Sequence, residues 1–457
     1  MATFPKNFIW GAATSAFQIE GAANSDGRGP SIWDTFCNTP GKVANGDTGV
    51  VANNHYNLFK DDIKLMKDLG LQGYRFSFSW SRMFPEGTGR REERGFDFYD
   101  RLIDEVLDAG IEPIATLYHW DLPQSLQDNG GWSSRQILKP FEDYSVAIAE
   151  RFGDRVKKLT PINEPWVVAW LGHGIGIHAP GITDRKTAWT VAHHTVMAHA
   201  LSAQAMRSVR SDLLIGPVLN QANYVVDDHN DSNQVHAAQM LDAIQNRFWM
   251  DAFFNGKYPE IVISEFGQEL LPAIKDGDLE IAKVKNDFLG INYYFDNRVG
   301  APIDGENPWH TLSSHYGLNI DETPKGELTD MGWPLNPEGI GNICFRWHKE
   351  FDEKLPPIFI TENGVAYDDD VNSQGTVNDL RRIEYIKTHL LSLASAIEKG
   401  APIKGYYHWS LMDNFEWALG YEKRFGIIHV DFKSQRRTLK DSALWYKKVI
   451  ANNGIEL

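Results

Sequence analysis

Apolar and polar residues alternate along this chain in two repeating patterns. Short runs rich in β-branched and aromatic residues, typical of buried strands, are separated by longer stretches with the three- and four-residue apolar spacing of amphipathic helices. The predicted strands are 8–15, 73–80, 112–120, 157–163, 213–220, 288–294, 357–363 and 404–411. Predicted helices include 57–70, 98–110 and 379–400, of which the first two end on Gly70 and Gly110, where a left-handed cap is expected.

Eight strands that alternate with helices predict an α/β fold, a closed parallel (β/α)8 TIM barrel. An open doubly wound sheet is the structural alternative, and it would usually carry a glycine-rich phosphate loop after an early strand. The glycine-rich stretch 171–176 does not have that context. Because no stretch is a linker or of low complexity, we predict one domain over residues 1–457. The length alone is also compatible with two or three ordinary domains.

The overall charge narrows the range of partners. Sixty-one acidic and 45 basic residues give a net charge of −16, which argues against general binding of nucleic acid or of an anionic membrane. No apolar run approaches the length of about 20 residues that crosses a bilayer. The first residues, MATFPKNFIWGAATSAFQIEG, lack the basic start and apolar run of a signal peptide. We therefore expect no membrane contact and a cytoplasmic location.

Several candidate ligand groups point to structural roles. Cys37 and Cys344 are the only cysteines in the sequence, which excludes a disulfide scaffold and a four-cysteine metal site. Three histidines in VAHHTVMAHA (191–200) lack zinc-site spacing, so packing of a helix is favoured. The acidic run 368–370 is interpreted as a solvated turn. We predict no metal and no cofactor.

Polar and aromatic residues recur where the predicted strands end. Barrel enzymes carry their chemistry at the carboxyl ends of the strands. The residues at these ends are Gln18, His119, Trp120, Asn163, Glu164, Asn220, Asn292, Tyr294, Glu362, Asn363 and Trp409. Fifteen Trp, 16 Tyr and 24 Phe also suit a site that stacks on the flat apolar faces of sugar rings. The pattern predicts an active site at this end of the barrel.

Two of these residues are carboxylates on opposing strands. Glu164 lies in TPINEP and Glu362 in ITENG, on strands four and seven, which face each other across a barrel mouth. Glycoside hydrolysis needs one carboxyl to protonate the leaving oxygen and another to attack or to activate water. A separation of about 5–5.5 Å gives retention, and roughly 6.5–9.5 Å gives inversion. One Glu beside Asn at a strand end is most often a loop or helix cap, but two opposed pairs favour catalysis.

Several long motifs, in order, resemble glycoside hydrolase family 1, the β-glucosidase family. They are FIWGAATSAFQIEG, YRFSFSWSRMFPEGTG, LYHWDLP, TPINEP, LGINYY, ITENG and HWSLMDNFEWALGYEKRFGI, and the resemblance runs from about residue 5 to residue 450. It implies a (β/α)8 barrel and a retaining double displacement on small β-glycosides and short oligosaccharides. Glu164 matches the acid/base of the family, and Glu362 matches its nucleophile.

The resemblance also implies roles for the surrounding residues. Asn163 matches the residue that binds the sugar 2-hydroxyl. Gln18, His119 and Trp120 match residues that hold hydroxyls on the far side of the ring. Glu416 matches the carboxylate that bridges the 4- and 6-hydroxyls, Trp409 the stacking platform and Trp417 its hydrogen-bonding neighbour. Trp333 resembles the platform for the leaving group. Around the nucleophile, the residues that match those of the family are Arg75, Asn292 and Tyr294.

Three alternatives and several details stay open. A 6-phospho-β-glycosidase is disfavoured by Glu416 and Trp417, although Lys423 and Arg424 lie close by in sequence. A non-catalytic sugar-binding barrel would lack one of the two glutamates, and an aldolase-like barrel would need a lysine or a metal cluster at a strand end. For Trp166 and His178, packing and contact with the leaving group are equally expected. The sequence leaves open glucose against galactose or fucose, the balance with transglycosylation and the oligomeric state.

Overall fold

A computed structural model of the chain describes residues 2–302 and 311–456. Eight parallel strands coincide with the eight predicted segments, and only the last begins outside its segment, one residue early at Ile403. They are β1 (Ile9–Ala13), β2 (Gly73–Ser77), β3 (Glu112–Tyr118), β4 (Lys158–Ile162), β5 (Leu214–Ile215 and Val218–Asn220), β6 (Leu289–Asn292), β7 (Ile358–Asn363) and β8 (Ile403–Trp409). The alternation of strands and helices in the sequence therefore predicted the barrel correctly.

The sheet closes through the two segments of β5. Leu214–Ile215 pairs with β4, and Val218–Asn220 pairs with β6, so the ordered sheet begins and ends on the same strand. The prediction of one continuous strand over 213–220 is wrong at Gly216 and Pro217. Pro217 has no N–H for a ladder, and a Cβ on Gly216 would lie 2.1 Å from the Phe288 carbonyl oxygen. The chain thus turns from one neighbour to the other at a point that only glycine fits.

The helices alternate with these strands. The α-helices are Ala16–Ile19, Ile32–Cys37, His55–Leu69, Trp80–Met83, Glu93–Asp108, Gln124–Asp128, Leu138–Phe152, Pro165–His173, Arg185–Val209, Ser232–Asp242, Phe248–Asn255, Glu260–Leu270, Asp278–Ala282, Thr311–His315, Pro337–Phe351, Leu380–Glu398 and Asp441–Asn452. One π-helical turn covers Ala243–Arg247, and short 3₁₀ turns cover Ala44–Gly46, Gly131–Ser133, Arg135–Ile137, Leu271–Ala273, Asp352–Lys354 and Trp417–Leu419. Two-stranded ladders join Ala2–Thr3 to Gly454–Ile455, Tyr224–Val226 to Asn297–Val299, and Ile428–Asp431 to Arg436–Leu439.

Two helices end where the sequence predicts, but the second of them begins well before its predicted start. Gly70 and Gly110 both adopt a left-handed φ of +78°, as expected for residues after a helix. The helix predicted from residue 98 begins at Glu93, because the polar run before it hides the first turn. That turn buries Phe96, and the Glu92 side chain accepts a hydrogen bond from the Arg94 N–H at 3.4 Å.

The buried core joins both ends of the chain. One cluster of buried apolar side chains extends from Phe4 to Ile455, and the Trp10 indole donates to Asn453 Oδ1 at 2.9 Å. Cys37 and Cys344 are both buried free thiols, and burial raises the pKa of Cys37 to about 12.

The structure confirms the prediction for the three histidines but not the one for the acidic run. His193, His194 and His199 are buried in the helix Arg185–Val209, which confirms their packing role. The interpretation of 368–370 as a solvated turn is wrong for Asp369. It is buried and forms ion pairs with Arg382, in the helix Leu380–Glu398, and with Lys440, which precedes the helix Asp441–Asn452.

The described part of the chain contains no cluster of three or more His, Cys, Asp or Glu side chains arranged to hold a metal ion. In residues 2–302 and 311–456, no helix combines the length and the apolar character needed to cross a bilayer.

Candidate active site

A cavity of about 540 Å³ opens at the carboxyl ends of the barrel strands. Its size is typical of a small-molecule site. The lining residues are His119, Trp120, Glu164, Trp166, Val167, Leu171, Ile177, His178, Asn220, Gln221, Ala222, Gln245, Asn292, Tyr294, Phe295, Asn297, Met331, Trp333, Glu362, Trp409, Glu416, Trp417, Ala418, Leu419 and Phe425. Among these described residues there is no lysine or arginine, whereas three are glutamates.

Glu362 is held by two donors. Arg75, on β2, donates from Nη1 to Glu362 Oε1 at 2.5 Å, and the Tyr294 hydroxyl donates to Oε2 at 2.7 Å. Both Arg75 and Glu362 are buried. A permanent cation and a phenol on the two oxygens favour the ionised carboxylate. The sequence placed both residues in this shell, and the structure brings them there.

Among the described residues, no cation forms an ion pair with Glu164. It precedes Pro165, the first residue of the helix Pro165–His173, and its φ of +46° is left-handed. Trp120 and Trp417, which line the same cavity, also have positive φ values, of 77° and 49°. Non-glycine residues in this region cost about 1–3 kcal/mol each and cluster at functional sites, where neighbouring structure enforces them.

Two asparagine amides connect the carboxyls. Asn292 Nδ2 donates to Glu164 Oε1 at 2.6 Å and to Asn163 Oδ1 at 3.1 Å, while its own oxygen accepts from the Thr361 hydroxyl at 2.6 Å. Asn163 Oδ1 also accepts from Arg75 Nη2 at 2.7 Å. Asn292, expected beside the nucleophile, thus contacts the other glutamate as well, because it lies in register with Glu362 on the neighbouring strand.

The different surroundings of Glu164 and Glu362 give the two carboxyls different pKa values. Burial and the charge of Glu362 raise the pKa of Glu164 to about 8. Burial also raises the pKa of Glu362, but the charge of Arg75 and the hydrogen bond from Tyr294 oppose that rise. Because only Glu362 touches a cation, a single proton shared by the pair resides on Glu164 near neutral pH.

His119 and Trp120 follow β3 and contact Asn163. Asn163 Nδ2 donates to His119 Nε2 at 3.2 Å, and the Trp120 indole donates to the Asn163 carbonyl at 2.9 Å. Burial, with the charge of Arg75, holds the pKa of His119 well below its ordinary value, so the ring is neutral. Its proton therefore lies on Nδ1, which has no partner among the described residues. Trp120, by contrast, has already used its one donor.

The loop after β8 forms an aromatic wall with one carboxyl. Trp409 and Trp417 are each nearly parallel to the His119 ring, with centroid distances of 5.8 and 5.9 Å. Glu416 Oε2 has no partner in the described part of the chain, and burial with the charge of Glu362 raises its pKa to about 8. Gln18 lies behind this loop, where its amide donates to the Phe415 carbonyl at 2.7 Å.

The outer part of the cavity is mostly apolar. Trp333 stacks on Phe295 with ring centroids 5.0 Å apart, and Trp166 and His178 also line the cavity. Trp166 is buried and His178 partly buried, as packing requires, and their contact with the leaving group stays a prediction. Lys423 and Arg424 are directed away, Lys423 towards the Asp330 carbonyl and Arg424 towards Asp413.

Several residues that line the cavity were not predicted from the sequence. Gln221 follows Asn220 at a strand end, a signal that strand-end analysis could have used. Gln245 lies in the π-helical turn, and Phe295, Met331 and Phe425 lie in loops. Phe425 falls inside the last of the family motifs, but neither motif nor periodicity marks Gln245, Phe295 or Met331, which the barrel's tertiary fold alone brings to the mouth.

A parallel barrel with two unequal carboxyls at its mouth, between aromatic faces, defines a glycoside hydrolase. The sequence model described as glycosyl hydrolase family 1 matches residues 1–455, and the chain belongs to that family. Beta-glucosidase A of Thermotoga maritima is 45% identical over 99% of each chain. A solved structure of beta-glucosidase from Thermotoga maritima in complex with glucoimidazole is 43% identical, covers 100% of both chains and has a TM-score of 0.93. A bifunctional beta-D-glucosidase/beta-D-fucosidase of Bifidobacterium breve is 40% identical over 98% of each chain.

Proposed function

We propose that this chain is a retaining β-glucosidase that releases terminal non-reducing β-D-glucosyl residues from small glycosides. The observation that carries the proposal is the unequal pair of carboxyls, of which Glu362 touches Arg75 and Tyr294, whereas among the described residues the Glu164 carboxyl accepts only from the Asn292 amide. Glycosidases with a covalent intermediate need such a pair, one carboxyl ionised and one protonated. Residues 1–457 act in this proposal as one catalytic domain.

In the first step, a Glu362 oxygen attacks the anomeric carbon as the bond to the leaving oxygen breaks. Glu164 gives its proton to that oxygen, so the leaving group departs neutral. The charge on Glu362 is consumed in the ester, and Arg75 then no longer faces a carboxylate. Tyr294 keeps its proton throughout, because burial raises its pKa well above the ordinary value.

In the second step, water attacks the anomeric carbon and the bond to Glu362 breaks. Glu164 takes the water proton, which returns both carboxyls to their starting states. Esterification of Glu362 removes the neighbouring negative charge that helps to raise the pKa of Glu164. The pKa of Glu164 therefore falls, and its ionised carboxylate can act as the base in this step. A second sugar in place of water gives transglycosylation as a side reaction.

The glycone contacts come from the wall after β3 and β8. His119 offers an N–H at Nδ1 and Glu416 offers an acceptor at Oε2, while Trp409 and Trp417 offer apolar faces. The proposal includes β-fucosides as further substrates, because a Bifidobacterium breve relative is named a bifunctional beta-D-glucosidase/beta-D-fucosidase. A 6-phosphate is disfavoured because the described lining contains no cation to balance it.

The stereochemistry of the released sugar tests this mechanism. With 4-nitrophenyl β-glucoside, proton NMR of the wild type should show the β-anomer first, followed by mutarotation. Glu362→Gly should lose turnover, and azide should restore it by forming the α-glycosyl azide. Glu164→Ala with azide should form the β-glycosyl azide, because the ester at Glu362 still forms.

Release of the α-anomer first would overturn retention, since it requires a water between the carboxyls. Formation of the same azide anomer by both variants would overturn the separate roles of the glutamates. Cleavage of 4-nitrophenyl 6-phospho-β-glucoside in preference to the unphosphorylated glucoside would replace the substrate class.

A further inference from the structure

Two glutamine side chains, Gln221 and Gln245, line the part of the cavity wall that the chain forms after β5. Gln221 is only 2% exposed, and its Oε1 accepts from the buried indole of Trp347 at 2.7 Å. Gln245 Oε1 accepts from the Tyr224 hydroxyl. Because each carboxamide oxygen is occupied by an aromatic donor, each amide nitrogen is directed elsewhere. Among the described residues, none accepts a hydrogen bond from Gln221 Nε2 or from Gln245 Nε2.

The π-helical turn Ala243–Arg247 fixes the position of Gln245. Asn246, next to it, is fully buried and is hydrogen-bonded to both backbone groups of Ala222, from Nδ2 to the carbonyl at 2.7 Å and from the Ala222 N–H to Oδ1 at 3.3 Å. Asn246 Nδ2 also donates to Asp242 at 2.7 Å. Such turns widen a helix by one residue and often occur at functional sites. The Gln245 side chain is therefore held at the cavity wall.

This wall lies on the side of the acid. The Glu164 N–H donates to the Val218 carbonyl at 3.0 Å, and Asn163 forms a bridge with Val218, so the segment that leads to Gln221 runs beside Glu164. The proposed glycone contacts, His119, Trp409 and Trp417, form a separate stacked group. A group that departs with the proton of Glu164 must leave along the β5 side.

We propose that Gln245, assisted by Gln221, selects sugar leaving groups over purely apolar ones by donating to their hydroxyl oxygens. The inference rests on the proposed function and names the substrate class of the outer site. The rest of the outer wall combines apolar side chains such as Trp333, which accept either kind of leaving group, with the amides of Asn220 and Asn297. Amide groups, unlike the apolar faces, distinguish a second sugar from a hydrocarbon ring.

The test compares kcat/KM for cellobiose and for phenyl β-glucoside, whose leaving group offers no hydroxyl beyond the scissile oxygen. Gln245→Met keeps the side-chain length but removes the donor. We expect about tenfold lower kcat/KM for cellobiose, the loss of one neutral hydrogen bond, and less than a twofold change for phenyl β-glucoside. Gln239→Met, the same change at an exposed position of the preceding helix, should alter neither.

Tyr224→Phe supplies a second variant, because it leaves Gln245 in place but frees its oxygen. It should give part of the same cellobiose-specific loss, and the double variant should lose no more than Gln245→Met alone. Equal losses on both substrates, or none on cellobiose, would overturn the inference while the β-glucosidase proposal stands. A wild type that cleaves neither substrate would instead refute the proposed function itself.

Discussion

Replacement of Arg75 by methionine isolates the interaction that separates the two glutamates. Arg75 Nη1 lies 2.5 Å from Glu362 Oε1, and both side chains are buried. At an effective dielectric constant near 20, unit charges about 4 Å apart interact by about 4 kcal/mol. A neighbouring cation usually lowers a carboxyl pKa by about 1–3 units, or roughly 1.4–4 kcal/mol. Arg75→Met should raise the pKa of Glu362 by that amount.

The pH profile shows the sign of the effect. The attacking carboxyl must be ionised, so activity is lost as the pH falls through the pKa of Glu362. A higher pKa moves the acid limb of kcat/KM to higher pH. The alkaline limb of the profile follows Glu164, whose pKa is already raised to about 8. Because the acid limb moves towards the alkaline limb, the bell-shaped pH profile of kcat/KM becomes narrower and its maximum falls. We expect roughly 10- to 1000-fold lower kcat/KM near neutral pH, measured with an aryl β-glucoside.

Two matched variants separate charge from packing. Arg75→Lys keeps the charge and should restore part of the acid limb. Arg82→Met removes another buried arginine, which pairs with Glu20 at 3.0 Å, and should cost stability without moving either limb. If Arg75→Met lowers kcat/KM equally at every pH, with both limbs unmoved, the electrostatic reasoning is refuted and Arg75 acts through packing alone.

Two further predictions concern the nucleophile and the buried charges. Tyr294→Phe removes the 2.7 Å hydrogen bond to Glu362 Oε2 and should lower kcat/KM roughly 10- to 100-fold, with an upward shift of the acid limb in the pH profile; an unmoved limb would contradict the role of the hydroxyl. Lys440→Met removes the buried cation shared by Asp369 and Asp413, at 2.8 and 2.9 Å, so that Arg382 alone faces Asp369 and Arg424 alone faces Asp413, and it should cost about 3–5 kcal/mol in urea denaturation. Lys433→Met, at an exposed position, should stay within about 0.5 kcal/mol, and a similar loss there would count against the buried network.

The barrel could be predicted because its signals are local. Strands such as Gly73–Ser77 are buried on both faces and therefore appear as short apolar runs, and glycines mark helix ends such as Gly70. Glu164 and Glu362 were found because barrel chemistry lies at strand ends, a rule that converts a position in sequence into a position in space. Family motifs supplied Glu416 and Trp417, which follow no strand end directly.

Other features depend on distant contacts. Asp369 belongs to an acidic run whose local pattern indicates solvent, yet Arg382 and Lys440 reach it from other elements and make burial possible. The break at Gly216 depends on the Phe288 carbonyl, 72 residues later in sequence, which local propensity does not include. Gln245 reaches the cavity only because a π-helical turn is anchored to Ala222.

The sequence by itself determined the alternation of elements, the buried faces and the two glutamates at opposing strand ends, since these follow from nearest-neighbour spacing and residue chemistry. Tertiary structure decided where β5 divides, which oxygen of each carboxyl receives which donor, and which outer amides face a leaving group. The physical reason is range. Hydrophobic periodicity acts over a few residues, whereas a hydrogen bond such as Arg75 to Glu362 joins atoms that only the closed barrel brings within 2.5 Å.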